Sequence, residues 1–480
     1  MPTHHEAQIG KGWVGAGAVF CREEGCPGWP RKVNLPFVNA ARRSSLTQDL
    51  LLPSLLFAAL GGMTWAVRGC SGYGAAAGCL FAGVTWGAAW WFLAHDPTGP
   101  QSRRYASGWI ILAVAMGVSI SGSRGWMQWP SFFDGHLQTN TGKGEFLPIP
   151  RAYGFVWLFV AGVPWAGIGA CLLAWCASGQ ALRARDWGLR LACAFGVAFL
   201  ARLLFDQLPD VFLPLHKTLA AQYADLQTNP NLRRLINDNR SAIMHLGFYL
   251  GCLLYEAFRR DWKNVTLIVS VGLVNGIGWA ALQNWSWAKN FWPGANFNFW
   301  RCWESSGGIS IGVAYGLAYF LVNRRRAEPE RAAREVPAGN ASPNLERFGL
   351  YLGLLLGLGL SIRSGLKGWA NIYLGNESFW SAVLWKVIGP LLILGFAAAA
   401  LRIRARPLPA GFQGDGFPHA YRLIWLVLIT QNLLAQLVTG PWSSWNEVVF
   451  SIYYLLLFAI SAVIIHHCHC LKSPELRLQS

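Results

Sequence analysis

Gly83-Val84-Thr85-Trp86-Gly87-Ala88-Ala89-Trp90-Trp91 has a second copy, glycines and aromatics in step, in Gly312-Val313-Ala314-Tyr315-Gly316-Leu317-Ala318-Tyr319-Phe320. Matches continue on either side of it. Upstream, Gly62-Met63-Thr64-Trp65-Ala66 parallels Gly276-Ile277-Gly278-Trp279-Ala280. Downstream, Ser119-Ile120 with Arg124-Gly125-Trp126 parallels Ser361-Ile362 with Lys367-Gly368-Trp369, and Trp157, Gly162 and Pro164 parallel Trp385, Gly389 and Pro390. Leu200-Ala201-Arg202-Leu203 faces Leu434-Ala435-Gln436-Leu437. Five matches in one order imply that the chain is two copies of one unit.

Each matched segment lies in an apolar run. Of the 480 residues, 53% are hydrophobic and 13% charged, too few polar groups to clothe a water-soluble protein of this size. A helix crosses the hydrocarbon core with roughly 20 apolar residues. Such runs read as spans at 50–67, 74–94, 107–121, 153–178, 188–206, 241–258, 264–283, 303–322, 348–362, 381–401, 421–439 and 446–467. The expected fold is an all-α integral membrane protein of about twelve transmembrane helices. Its first six-helix half is 46–260 and its second 261–470, flanked by tails at 1–45 and 471–480. Six is even, so the halves share one orientation and are related by an axis along the membrane normal, a transporter architecture.

The net charge of +17 sorts by loop, because even-numbered loops hold 18 of the 40 Lys and Arg. The positive-inside rule then puts both termini in the cytoplasm of a cell with the chain in its plasma membrane. The basic balance reports topology and contact with membrane lipids and excludes a nucleic-acid partner. Residues 1–45 lack the apolar core of a signal peptide. Cys21 and Cys26 do not have metal-ligand spacing, and the consecutive His466-to-Cys470 run does not converge on one ion, so no metal or cofactor is expected.

Gly308, Gly312 and Gly316, and Gly349, Gly353 and Gly357, recur every four residues, the spacing that lets helix backbones approach closely in lipid. Charges within or beside spans are costly there and mark candidate sites. Arg202 and Lys386 lie inside the fifth and tenth spans, and Arg68, Arg124 and Lys367 at the ends of the first, third and ninth. Glu304 opens the eighth. Arg202, with an i,i+4 partner in Asp206, and its counterpart Gln436 are expected to line a polar cavity between the halves. His245, Asn275, Gln283, Gln431 and Asn432 either share it or bond to neighbouring helices. The 26 tryptophans exceed what interfacial belts need, and Trp126, Trp279 and Trp369 are the candidate aromatic surfaces for a flat polar solute. Two long loops, about 122–152 and 207–240, are placed to cover such a site.

The six-plus-six plan resembles the major facilitator transporters, as does Asp96 with Gly99, Arg103 and Arg104 after the second span. The short connection at 259–263 and the long loops depart from that family, and no functional residue is carried over from it. The expected function is transport of a polar, anionic or sugar-containing small solute by alternating access. The substrate-binding set is Arg202, Lys386, Arg124, Lys367, Arg68, Trp126, Trp369, Trp279, Glu304 and Gln436. The alternative is a membrane-embedded transferase for a lipid-linked substrate, with Asp134, His136 or Glu304 as acid or base.

Overall fold

The computed structural model describes residues 46–472 except 71–72, 95–104, 123–128, 141–145, 179–183, 283–284, 286–287, 324–342 and 406–415. The first tail, the second from 473 onward, Cys21, Cys26, Asp96, Arg103, Arg124, Trp126 and Gln283 therefore lie outside the described residues. Eleven of the described helices are long and apolar enough to cross a membrane, and one shorter apolar helix accompanies them. The protein is an all-α, multi-pass membrane protein. In chain order the twelve are α1 (Leu52–Arg68), α2 (Ala75–Ala94), α3 (Ile110–Gly122), α4 (Ala152–Ala177), α5 (Ala184–Gln207), α6 (Pro230–Phe258), α7 (Trp262–Ala281), α8 (Phe299–Asn323), α9 (Pro343–Tyr373), α10 (Glu377–Ala405), α11 (Gly416–Thr439) and α12 (Trp445–Lys472).

Helix α6 begins well before the apolar run that announces it. Its first turns, Pro230-Asn231-Leu232-Arg233-Arg234, are polar, and at 1.5 Å per residue its 29 residues make a rod of about 44 Å, longer than the hydrocarbon core is thick. The extra turns form one wall of a cap. On the cap's other side stand a short helix, Trp129–Phe133, and a two-stranded antiparallel hairpin of β1 (His136–Gln138) and β2 (Phe146–Pro148). Trp129 stacks on Trp157 of α4 at 6.0 Å, and its indole N–H donates to Asn239 Oδ1 at 2.8 Å. Asn239 Nδ2 in turn donates to the Phe212 carbonyl, so both long loops are tied to one α6 side chain.

The centre of the bundle is set by glycine. Lipid supplies no hydrophobic drive for helix association, so close backbone packing must. Gly308, Gly312 and Gly316 of α8 lie against Gly61, Phe57 and Ser54 of α1, and a methyl group at Gly61 or Gly308 would overlap the other residue's carbonyl oxygen. Gly349, Gly353 and Gly357 of α9 face Trp109, Ile111 and Val84 in the same way, and the Tyr73 hydroxyl donates to the Ser361 carbonyl at 2.5 Å. Asn275 of α7 donates to the Gly162 carbonyl of α4 where Gly162 meets Gly276. Helices α1, α2, α4 and α8 are mostly buried, whereas α5 and α10 lie at the periphery, with no buried residue on α10.

Candidate functional site

Arg68, the last residue of α1, is buried and points at Glu304 near the start of α8; the Glu304 side chain lies with that of Trp300 against Gly69. Its Nη1 donates to both carboxylate oxygens at 3.1 Å, and the two side chains are only 5% and 2% exposed. Nη2 donates to the Gly122 carbonyl at the end of α3 at 3.1 Å, Nε donates to Cys79 Sγ of α2, and the guanidinium lies 5.0 Å from the Trp65 ring. Four helices thus meet on one guanidinium. A buried ion pair gains little net stability over apolar packing, yet losing either partner strands a charge. Such an arrangement suits a site that exchanges partners.

Beside the pair runs a column of rings. Trp300, partly exposed, meets Trp303 at 4.6 Å, Trp303 meets Trp279 at 5.4 Å, and Trp279 meets Trp65 at 6.1 Å. Trp65 stacks on Trp86 at 5.8 Å, Trp86 on Tyr315 at 5.7 Å, and Tyr315 reaches Trp90 and through it Tyr319 at 5.2 Å. The column ends where the Tyr319 hydroxyl donates to the Leu93 carbonyl at 2.7 Å. Alongside it, Thr64 and Thr85 are 3.3 Å apart, and Gln431 Nε2 reaches the Leu60 carbonyl and the Thr64 hydroxyl.

Of the residues expected in the site, the structure brings Arg68, Glu304 and Trp279 into one cluster. Others stand apart. Arg202 is on the exposed face of α5, its side chain 53% accessible, 3.6 Å from Asp206, which also pairs with Arg240 at 3.0 Å. Gln436 turns instead to α12, donating to the Ser451 carbonyl at 3.1 Å, so the cavity wall expected from Arg202 and Gln436 does not form. Hydropathy gives a span's position but not its rotation, which decides the difference. Lys386 is exposed on peripheral α10. Lys367 binds Glu377 across the α9–α10 turn at 2.5 Å, and Trp369 packs on Tyr373 beside it. Asn275 and Asn432 bond to neighbouring helices.

The loop acids serve turns. Asp210 holds His216 Nδ1 at 2.7 Å, and the hydrogen bond from His216 keeps its carboxyl below the usual range, aided by Lys217. Asp225 caps a turn through Thr228. Near the C-terminus, His466 Nε2 and Cys470 Sγ are 3.5 Å apart and His469 packs on Tyr421, while no group of three or more His, Cys, Asp or Glu among the described residues could hold a metal ion.

A second buried pair went unseen in the sequence. Arg190 of α5 donates through Nε to Glu256 Oε1 of α6 at 2.8 Å, both side chains fully buried. Asn264 donates to the other carboxylate oxygen at 2.8 Å and accepts from the Tyr105 hydroxyl at 2.6 Å. The guanidinium lies within 6 Å of the Trp175, Trp187 and Tyr255 rings. Arg190 reads as a loop cation in the sequence; the signal that could have found it is Glu256, a carboxylate closing the apolar run Leu253-Leu254-Tyr255.

Comparison with known proteins supplies no relative: no protein-family model matches the chain, and no curated protein or solved structure is similar to it.

Proposed function

We propose that this protein is a transporter for a polar, anionic or sugar-containing solute, built from two six-helix halves, 46–260 and 261–470, that are related by an axis along the membrane normal and rock against each other to alternate access. The observation that carries the reading is the Arg68–Glu304 pair bridging α1 and α8 beside the ring column. Three contacts of that column join residues that the sequence match makes equivalent: Trp65 with Trp279, Trp86 with Tyr315, and Trp90 with Tyr319. Equivalent residues touch each other where a two-fold axis runs between them. Both halves also pair their first and second, third and fourth, and fifth and sixth helices. The twelve-helix count, cytoplasmic termini and plasma-membrane location follow from the same reading and from the arginine-rich even loops.

In this mechanism a solute anion takes the place of Glu304 on the Arg68 guanidinium while its apolar face lies on Trp300, Trp303 and Trp65. Releasing Glu304 unlocks α1 from α8 and lets the halves move. The transferase alternative has less support: Glu304 gives both oxygens to Arg68, while Asp134 lies in the turn after the short helix and His136 opens strand β1. The test is thermal stability of the purified protein with gluconate, glucose 6-phosphate and glucose, followed by counterflow of any stabilising solute in proteoliposomes. The reading expects an anionic solute to stabilise the native protein and to lose that effect in Arg68→Lys, because only the fork geometry binds it bidentately. Stabilisation unchanged in Arg68→Lys, or binding without counterflow, overturns it.

A further inference from the structure

Helices α9, α10 and α11 enclose an apolar cleft of about 560 Å³ on the outside of the bundle. It runs along α10 from Ile388 to Arg402, 14 residues or about 21 Å at 1.5 Å per residue. One leaflet of the hydrocarbon core is about 15 Å deep, so the cleft has the length of an acyl chain with its headgroup at one end. Its bottom is shaped by glycine: Gly359 receives the Leu392 side chain, and Gly395 receives Leu355. Its lining is Leu, Ile, Ala and Gly apart from Tyr351 and Arg402.

The end of the cleft that carries Arg402 is strongly basic. Arg402 itself lines the cleft, Arg347 lies one turn before the lining residue Tyr351 on α9, and Arg422 directly precedes the lining residue Leu423 on α11, so three helices each bring a guanidinium-bearing residue to this end. Arg402 and Arg422 are exposed and belong to helices long and apolar enough to cross a membrane. We infer that this cleft is a binding site for an anionic phospholipid, with one acyl chain lying between α9 and α10 and the headgroup phosphate held by Arg402, Arg422 and Arg347. The occupant is amphipathic because the site is: an apolar channel of leaflet length leading to converging cations. A soluble phosphate would leave the channel empty, and a zwitterionic lipid would bring its own cation to three arginines. The site is separate from the Arg68–Glu304 cluster and does not rest on the transporter reading.

The experiment is reconstitution of the full chain into nanodiscs of phosphatidylcholine with and without phosphatidylglycerol, with retained lipid counted by native mass spectrometry after extraction into detergent. Wild-type protein is expected to retain phosphatidylglycerol preferentially, by about tenfold or more over phosphatidylcholine. Arg402→Gln with Arg422→Gln removes the preference while leaving the fold intact, since both side chains are exposed. Ala399→Trp, which fills the channel from its lining, removes retention without touching the cations. Equal retention of the two lipids by wild type, loss of the bound lipid on adding glycerol phosphate, or full retention by Ala399→Trp would each overturn the assignment.

Discussion

Replacing Arg68 by Met removes the charge and keeps the length of the side chain in a site where the guanidinium makes four separate contacts. Glu304 is then a buried carboxylate whose hydrogen bonds to protein have gone, since both of its oxygens accept from Arg68 Nη1. Breaking a buried pair in this way costs about 3–5 kcal/mol. The reciprocal change, Glu304→Met, leaves a guanidinium that still bonds the Gly122 carbonyl, contacts Cys79 Sγ and faces Trp65, so its cost falls near the lower end, about 3 kcal/mol. Independent sites would give a double variant that loses the sum. A pair acting as one unit gives a double variant no worse than either single one, a coupling of about 3 kcal/mol or more. The assay is unfolding of the purified protein in mixed micelles with rising denaturing detergent, followed by near-ultraviolet circular dichroism, for wild type, both single variants and the double. Additivity to within about 0.5 kcal/mol would refute the argument that the two groups depend on each other.

Gly308→Val drives a branched side chain into the Gly61 carbonyl and is expected to abolish recovery of folded protein, whereas Gly188→Val, with open space around it, leaves yield unchanged; size-exclusion profiles distinguish the two. Trp279→Ala empties the hub that touches Trp65, Trp165 and Trp303 and should cost about 3–5 kcal/mol in the same unfolding assay. Arg202→Ala removes an exposed pair and should change stability by less than about 1 kcal/mol, with no effect on binding of any solute. For the loop at 208–224, the folded carboxyl of Asp210 titrates below its ordinary value, so its contribution is present above that value and fades as pH falls through the lower, folded one. Limited proteolysis of the loop should therefore stay slow from neutral pH to about 4 and accelerate below it, and His216→Ala should make cleavage faster at neutral pH and flatten its dependence on pH.

The spans were legible because an apolar run bounded by charge has one reading in lipid. The polar first turns of α6 were not, since they leave the membrane and carry no hydropathy signal. The glycine ridges announced close packing, and Gly308 and Gly349 proved to lie on it, but which helix each ridge would meet depends on tertiary arrangement. The site divided along the same line. Arg68 and Glu304 each stood out as a charge at the end of a span, yet 236 residues separate them and nothing local joins them. Arg202 and Lys386 stood out more strongly for lying deeper in their spans, and both are exposed, because a long side chain on a peripheral helix can carry its charge to the membrane interface. Arg190 was hidden by the opposite error: its place beside a loop suggests a headgroup contact, while aromatic rings and Glu256 enclose it.

The ring column also makes the centre of the protein optically distinctive. Trp65, Trp86, Trp90, Trp279 and Trp303 are linked through rings whose centres are 6.4 Å or less from those of their neighbours, with Tyr315 joining Trp86 to Trp90. Indoles at such separations share excitation, and the signal depends steeply on their mutual tilt. A rotation of α1 against α7, or of α2 against α8, would thus rewrite the near-ultraviolet spectrum of the unlabelled protein. Movement at the heart of the bundle can be watched in real time without attaching any probe.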